Sequence, residues 1–388
     1  MQKKKVLVWE TLATVSGGQK MTLTVMDMLS DKFEFYCLIP AEGMLSEELK
    51  KRNIPYTLMG NQTLPTGVKG KQVIFRYGWM SAKNVRKSLS VIRKYNPDIL
   101  YAPGPAALPW SAICGTLSRK PVIWHLHHIF LDGATKKLLN LCGNWKSVRK
   151  IIAVSGCVGD QIVNEHAHEK VRVLYNPVDV EKYSNGSPAR IRAELSTKYG
   201  LNVENCQVIG HVALIQKSKK QDIVLEVIKR LKSEGMRVVG LFAGETRESD
   251  FLEELKVNAR KMGIEENVRF LGRRSDIPDF LKLLDVLMIP SSFEGFPLAG
   301  LEAAAAGVPV AACEAAGAAE FIRVSGDGIV FKEDDIAGAA EAVKQMFEHR
   351  SEFEQYGIEF ARKMSVREYT SKINQTFNAL VDLKDEDQ

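Results

Sequence analysis

What most constrains this chain is a rhythm that runs through it twice. Short apolar, β-rich runs alternate with stretches of helical period: KVLVWE, FEFYCLIP, residues 98–102, PVIWHLH and KIIAVS. After RVLYNPVDVEKY the rhythm restarts with CQVIGHVALI, MRVVGLFAG, NVRFLG, DVLMIP and VPVAA. Apolar runs this short are strands buried on both faces, and a helix after each one covers the sheet, so the pattern predicts parallel, doubly wound sheets. Asn176 and Pro177 stand at the join, where the residue before proline is pushed out of helical geometry and the chain leaves extended. The expected fold class is α/β with two Rossmann-like domains, 1–175 and 176–364. A closing segment, 365–388, carries an amphipathic pattern from about Ser365 to Leu383 and an acidic tail, KDEDQ, expected to fray.

With 388 residues, 45% hydrophobic and 26% charged, the chain can fill two cores and is too apolar for disorder. Its six cysteines are scattered singly, and the start MQKKKVLVWE has no apolar signal core, so a reducing, cytoplasmic address is expected. Residues 99–118 are uncharged and as long as a membrane span, but Pro103, Gly104, Pro105 and Pro109 break them up; a buried strand, loop and helix is the better reading. Charge is uneven. Residues 1–180 carry 25 Lys and Arg against 13 Asp and Glu, and the remainder 28 against 34. A basic first half suits an anionic membrane surface or a lipid pyrophosphate. No nucleic-acid motif or aromatic-interleaved basic run accompanies it, so no nucleic-acid partner is expected.

The segment SSFEGFPLAGLEAAAAGVPV concentrates the chemistry. DVLMIP before it reads as a buried strand, SSFEGF as a loop, Pro297 as the first helical residue and Gly307 as the helix stop. Ligands bind at the carboxyl ends of parallel strands, where unpaired N–H groups of a helix start attract phosphate or sugar oxygens. Glu302 is the only charged residue between Gly295 and Cys313, and a carboxylate among Leu, Ala and Gly needs a partner such as sugar hydroxyls. In HVALIQKSKKQD, Lys217, Lys219 and Lys220 follow the first strand of the second domain, where they could neutralise a departing phosphate. The first domain offers TLATVSGGQKM, a glycine-bearing loop after its first strand, and WHLHH, in which His125 and His127 share one strand face and His128 the other. No third ligand is placed beside those histidines, so hydrogen bonding is favoured over metal. His166, His168, His211 and His349 are assigned to packing or surface.

Two glutamates eight positions apart in SSFEGFPLAGLEAAAAGVPV, followed by Gly317, Glu320 and Asp327-Gly328, resemble the donor-site signature of the retaining family 4 (group 1) glycosyltransferases. IIAVS, VLYNPVDVEKY, GLFAG and NVRFLG fall in that family's order. The resemblance implies the GT-B fold: two Rossmann-like domains facing across a cleft, the first binding acceptor, the second binding the nucleotide-sugar, and the closing helix crossing back to the first. It implies transfer of a sugar from a UDP- or GDP-type donor to a hydroxyl with retention, without metal or other cofactor. Glu294 would hold hydroxyls of the donor sugar and Glu302 the nucleotide ribose, while Gly295, Phe296, Pro297 and Leu298 contact sugar and diphosphate. Lys219 matches the family's diphosphate lysine; the arginine expected five or six positions earlier is Leu214 or Ala213 here. Lys217 is a candidate substitute. Gly272, which ends NVRFLG, and Arg273 after it join the donor side; Gly17 and Gly18 match the glycine-rich loop beside the diphosphate. His127 matches the histidine near the donor's sugar carbon, with His125 as the alternative assignment. The implied acceptor is a lipid-pyrophosphate-linked saccharide at the inner membrane surface, in capsule, exopolysaccharide or envelope synthesis. Rivals are a sugar-nucleotide epimerase on a similar scaffold and a non-catalytic nucleotide-sugar-binding subunit. Sugar specificity is expected near Glu294 and in a loop at about 60–80.

Overall fold

The computed structural model describes residues 3–60 and 71–386. The chain divides into two compact units, one made of Met1–Asn176 with Arg367–Gln388, the other of Pro177–Val366.

The first unit is built on seven parallel strands: β1 (Lys4–Trp9), β2 (Phe33–Ile39), β3 (Tyr56–Leu58), β4 (Ile99–Ala102), β5 (Val122–Leu126), β6 (Val148–Ala153) and β7 (Val171–Val173). Their order across the sheet is β3-β2-β1-β4-β5-β6-β7, so the winding reverses between β1 and β4. Burial on both faces explains their composition: Val6, Leu7 and Val8 of β1 and every residue of β4 and β5 are buried. Two tryptophans close this core without leaving a dry donor. The Trp9 indole N–H donates to Ser88 Oγ and the Trp124 indole to Ser111 Oγ, each at 3.0 Å. The uncharged stretch 99–118 is β4, a short turn and the helix Leu108–Ser118, and among the described residues no helix is long and apolar enough to cross a membrane.

The second unit holds six parallel strands, β8 (Gln207–Val212), β9 (Val238–Ala243), β10 (Val268–Gly272), β11 (Val286–Ile289), β12 (Val310–Cys313) and β13 (Gly328–Phe331). They run β10-β9-β8-β11-β12-β13, and here the reversal falls between β8 and β11. The closing helix, Val366–Glu386, returns to the first unit, where buried Phe377 lies edge-on to Phe33 at 5.5 Å and to Tyr101 at 5.4 Å.

Three sequence expectations change. The tail expected to fray is helical through Glu386. The loop expected over 60–80 is helical from Lys71, in the helix Lys71–Tyr95, and residues 61–70 lie outside the described residues. Gly17 and Gly18 are not a loop but the first turn of the helix Gly17–Leu29. Its cap is Ser16, whose N–H and hydroxyl both reach Gln19 Oε1, at 3.4 and 2.5 Å.

Candidate functional site

In the second unit the chemistry gathers where the winding reverses. Lys219 follows β8 and Glu294 follows β11, the two strands flanking the reversal, and the Lys219 ammonium donates to Glu294 Oε1 at 2.7 Å. Both side chains keep contact with solvent, at 21% and 17% exposure, so the pair can reach a ligand without being a surface decoration. The connections leaving the two strands at such a reversal turn to opposite faces of the sheet and leave a crevice at the strand ends.

Backbone geometry fixes the Glu294 loop. Pro297 caps rather than begins the helix Leu298–Ala306, one position later than the sequence suggested, and Gly307 ends it with φ of 74°. Phe296 is buried, its ring edge-on to Phe321 at 5.6 Å, so that its side chain anchors the loop and only its backbone is left for a ligand. Gly317 lets the helix Ala316–Ser325 close on the loop: a Cβ there would lie 2.3 Å from the carbonyl oxygens of both Glu294 and Gly295. Leu298 is half-buried in the first turn of its helix.

Glu302 has a partner that sequence reasoning missed. The Tyr183 hydroxyl, on the helix Val180–Ser184, donates to it, and burial together with that carboxylate pushes the phenol's pKa up. Its signal was present in the VDVEKY run. His211 was assigned to packing, yet it lies one residue before the end of β8, next to the ion pair. Its Nδ1–H donates to the Met288 carbonyl at 2.9 Å, and burial lowers its pKa to about 4, with the charges of Lys219 and Glu294 acting on it in opposite directions. A polar residue at the ligand end of an otherwise apolar strand was the available clue.

The three lysines separate. Lys217 is 71% exposed and faces Glu254 at 3.8 Å, and Lys220 faces Asp334 at 3.3 Å, so only Lys219 meets Glu294. Where an arginine was expected, the Leu214 carbonyl instead accepts from the Gln221 side chain at 2.9 Å. Gly272 and Arg273 are exposed at the end of edge strand β10, two strands from β8.

The first unit gathers a different chemistry. The rings of His125 and His127 lie 4.0 Å apart, and the Tyr101 hydroxyl contacts His125 Nδ1 at 2.6 Å. Burial pushes the His125 pKa down to about 3 and that of His127 well below its ordinary value, so both rings are neutral. His128 is exposed, with Nε2 beside Gly18. At the end of β1, Glu10 was not anticipated: its buried carboxyl accepts from Gln19 Nε2 at 2.9 Å and Thr22 Oγ1 at 2.5 Å, and burial raises its pKa. Among the described residues no three His, Cys, Asp or Glu side chains converge as a metal site would need.

Comparison with known proteins follows this division. Residues 15–182 match Glycosyltransferase Family 4 and residues 194–364 match Glycosyl transferases group 1. The UDP-Gal:alpha-D-GlcNAc-diphosphoundecaprenol alpha-1,3-galactosyltransferase of Escherichia coli is 24% identical over 351 residues, 86% of this chain and 85% of that one. The N-acetyl-alpha-D-glucosaminyl L-malate synthase of Bacillus anthracis is 25% identical over 287 residues, 70% of this chain and 71% of that one. The crystal structure of Anabaena HepE in complex with UDP-glucose superposes with a TM-score of 0.80 at 23% identity, over 97% of this chain and 99% of that one.

Proposed function

Because the chain belongs to the family 4, group 1 glycosyltransferases, we propose that it moves a sugar from a nucleoside-diphosphate donor to an acceptor hydroxyl with retention of configuration. The observation that carries this reading is the Lys219–Glu294 pair at the β8/β11 reversal. Glu294 accepts hydrogen bonds from hydroxyls of the donor sugar, and the loop's backbone lies along sugar and diphosphate. The bond between the anomeric carbon and the diphosphate breaks, and a bond to the acceptor oxygen forms. The acceptor's proton leaves with the diphosphate, whose freed oxygen is the strongest base produced. Lys219, placed before the reaction, stabilises the charge that develops there. Glu302, steadied by Tyr183, holds the ribose. His127, neutral and half-buried, serves as a hydrogen-bonding group toward the donor sugar rather than as a proton donor. No metal or other cofactor enters this reading; the leaving group's charge is met by Lys219 and backbone N–H groups.

For the acceptor we propose a lipid-pyrophosphate-linked saccharide in envelope, capsule or exopolysaccharide synthesis, at an anionic membrane surface on its cytoplasmic side. Support comes from the basic first 180 residues and from the diphosphoundecaprenol acceptor in the name of the Escherichia coli relative. One observation favours a second reading, a subunit that binds nucleotide-sugar without transferring it: Leu214 or Ala213 stands where an arginine was expected. Incubation of the protein with UDP- and GDP-sugars and a prenyl-pyrophosphate saccharide, read by mass spectrometry, separates the two. A product heavier by one sugar supports transfer; donor binding without product supports the subunit.

A further inference from the structure

His127 stands one residue past the end of β5, so strand pairing no longer fixes it and its ring needs another restraint. The ring beside it supplies one. His125 is wholly buried on the same side of the strand, with its centroid 4.0 Å from that of His127 and the planes tilted by 37°. His125 is itself held from β4, where the Tyr101 hydroxyl meets Nδ1 at 2.6 Å. Tyr101 is also wholly buried, lying edge-on to Phe377 of the closing helix, with planes at 64°. The restraint therefore runs from that helix through two central strands to His127.

The direction of the hydrogen bond follows from donor and acceptor strength, because His125 Nε2 is buried without a partner among the described residues and either direction leaves one donor unsatisfied. A phenol O–H is a stronger donor than a neutral imidazole N–H, and an imidazole nitrogen a stronger acceptor than a phenol oxygen, so Tyr101 donates. Nδ1 is then the acceptor and the His125 proton sits on Nε2. Desolvation keeps both rings neutral, so this tautomer persists across the working pH range.

We propose that Tyr101 and His125 are positioning residues for His127: the Tyr101 hydroxyl fixes the tautomer and plane of His125, and the fixed ring sets the direction in which His127 presents Nε2. The role so served rests on the reading of His127 as the donor-facing histidine. Selective nitrogen-15 labelling of the seven histidines, with two-bond proton–nitrogen correlation spectra, reads each tautomer directly. In the wild type, His125 is expected as the Nε2–H form. Tyr101→Phe, which deletes only the hydroxyl, is expected to change the His125 tautomer and shift the His127 ring signals. It should also lower kcat by roughly tenfold to a hundredfold while the donor KM stays within about twofold. Unchanged His127 signals together with unchanged kcat in Tyr101→Phe would overturn the proposal. If Tyr101→Phe does not fold, the wild-type spectrum decides, because an Nδ1–H His125 overturns it. His127→Ala keeps this separate from the site reading: full transfer by that variant would refute the role of His127 in the reaction, while the ring signals of Tyr101→Phe still decide whether Tyr101 holds it.

Discussion

The two units end their central strands in opposite kinds of chemistry. Beside β8 and β11 stands a charged, solvent-reaching pair, Lys219 and Glu294; beside β4 and β5 stands a neutral stack of Tyr101 and His125, both wholly buried, and half-buried His127. Exposure explains the difference. An ion pair at about a fifth exposure keeps both charges available to a ligand, whereas full burial drives histidine to its uncharged form. A reaction that releases a diphosphate needs positive charge where the diphosphate takes the bonding electrons and none beside the anomeric carbon, which those electrons leave positive. That contrast is why the proposed reaction gives Lys219 to the leaving group and the histidines to orientation.

The sharpest way to break the contrast is to remove its charged half. Lys219→Met should lower kcat by roughly a hundredfold to a thousandfold, the cost of losing one preorganised stabilising group, measured as nucleoside-diphosphate release at saturating donor. Next comes the loop that carries Glu294. Gly317→Ala places a Cβ against the Glu294 and Gly295 carbonyls and should destabilise the protein by about 1–3 kcal/mol, read as a lower urea midpoint, with loss of donor binding.

The neutral half is tested by pH. The folded-state pKa of His125, about 3, lies below its ordinary 6.5, so the unfolded chain takes up protons first as pH falls. Stability attached to this ring is therefore full above about 6.5 and is lost as pH drops toward about 3. Melting curves between pH 7 and 4 should show that slope, and His125→Gln should reduce it by that ring's share, leaving the shares of His127 and His211. Smaller still, Tyr183→Phe removes the hydrogen bond to Glu302 at a cost of about 1 kcal/mol, visible in nucleotide affinity or in thermal stability. Lys217→Ala should change kcat by less than about twofold, because an exposed side chain facing Glu254 contributes little.

Much of this was legible in the sequence. The ten longer apolar runs give the ten inner or long strands because burial on both faces leaves a continuous apolar signature. The three strands without that signal, β3, β7 and β13, are three or four residues long and lie at sheet edges, where one side is half wet and the pattern fades. The segment around Glu294 was readable from its strand, loop and helix punctuation. What stayed hidden depended on long-range partners. Tyr183 reaches Glu302 across more than a hundred residues of chain, and His211 and Glu10 are single polar residues at strand ends whose neighbours only the fold supplies. The lysine cluster looked uniform in sequence and separates only through Glu254, Glu294 and Asp334, each on a different element.

The central claim, that the Lys219–Glu294 pair at the β8/β11 reversal is the nucleotide-sugar site, is tested most directly by calorimetric titration of UDP-glucose and GDP-mannose against the wild type and Glu294→Gln. The expected result is that one of these donors binds the wild type and that Glu294→Gln, which keeps the shape but loses the charged acceptor, weakens it at least roughly tenfold. Equal affinity of the two proteins for that donor would contradict the account.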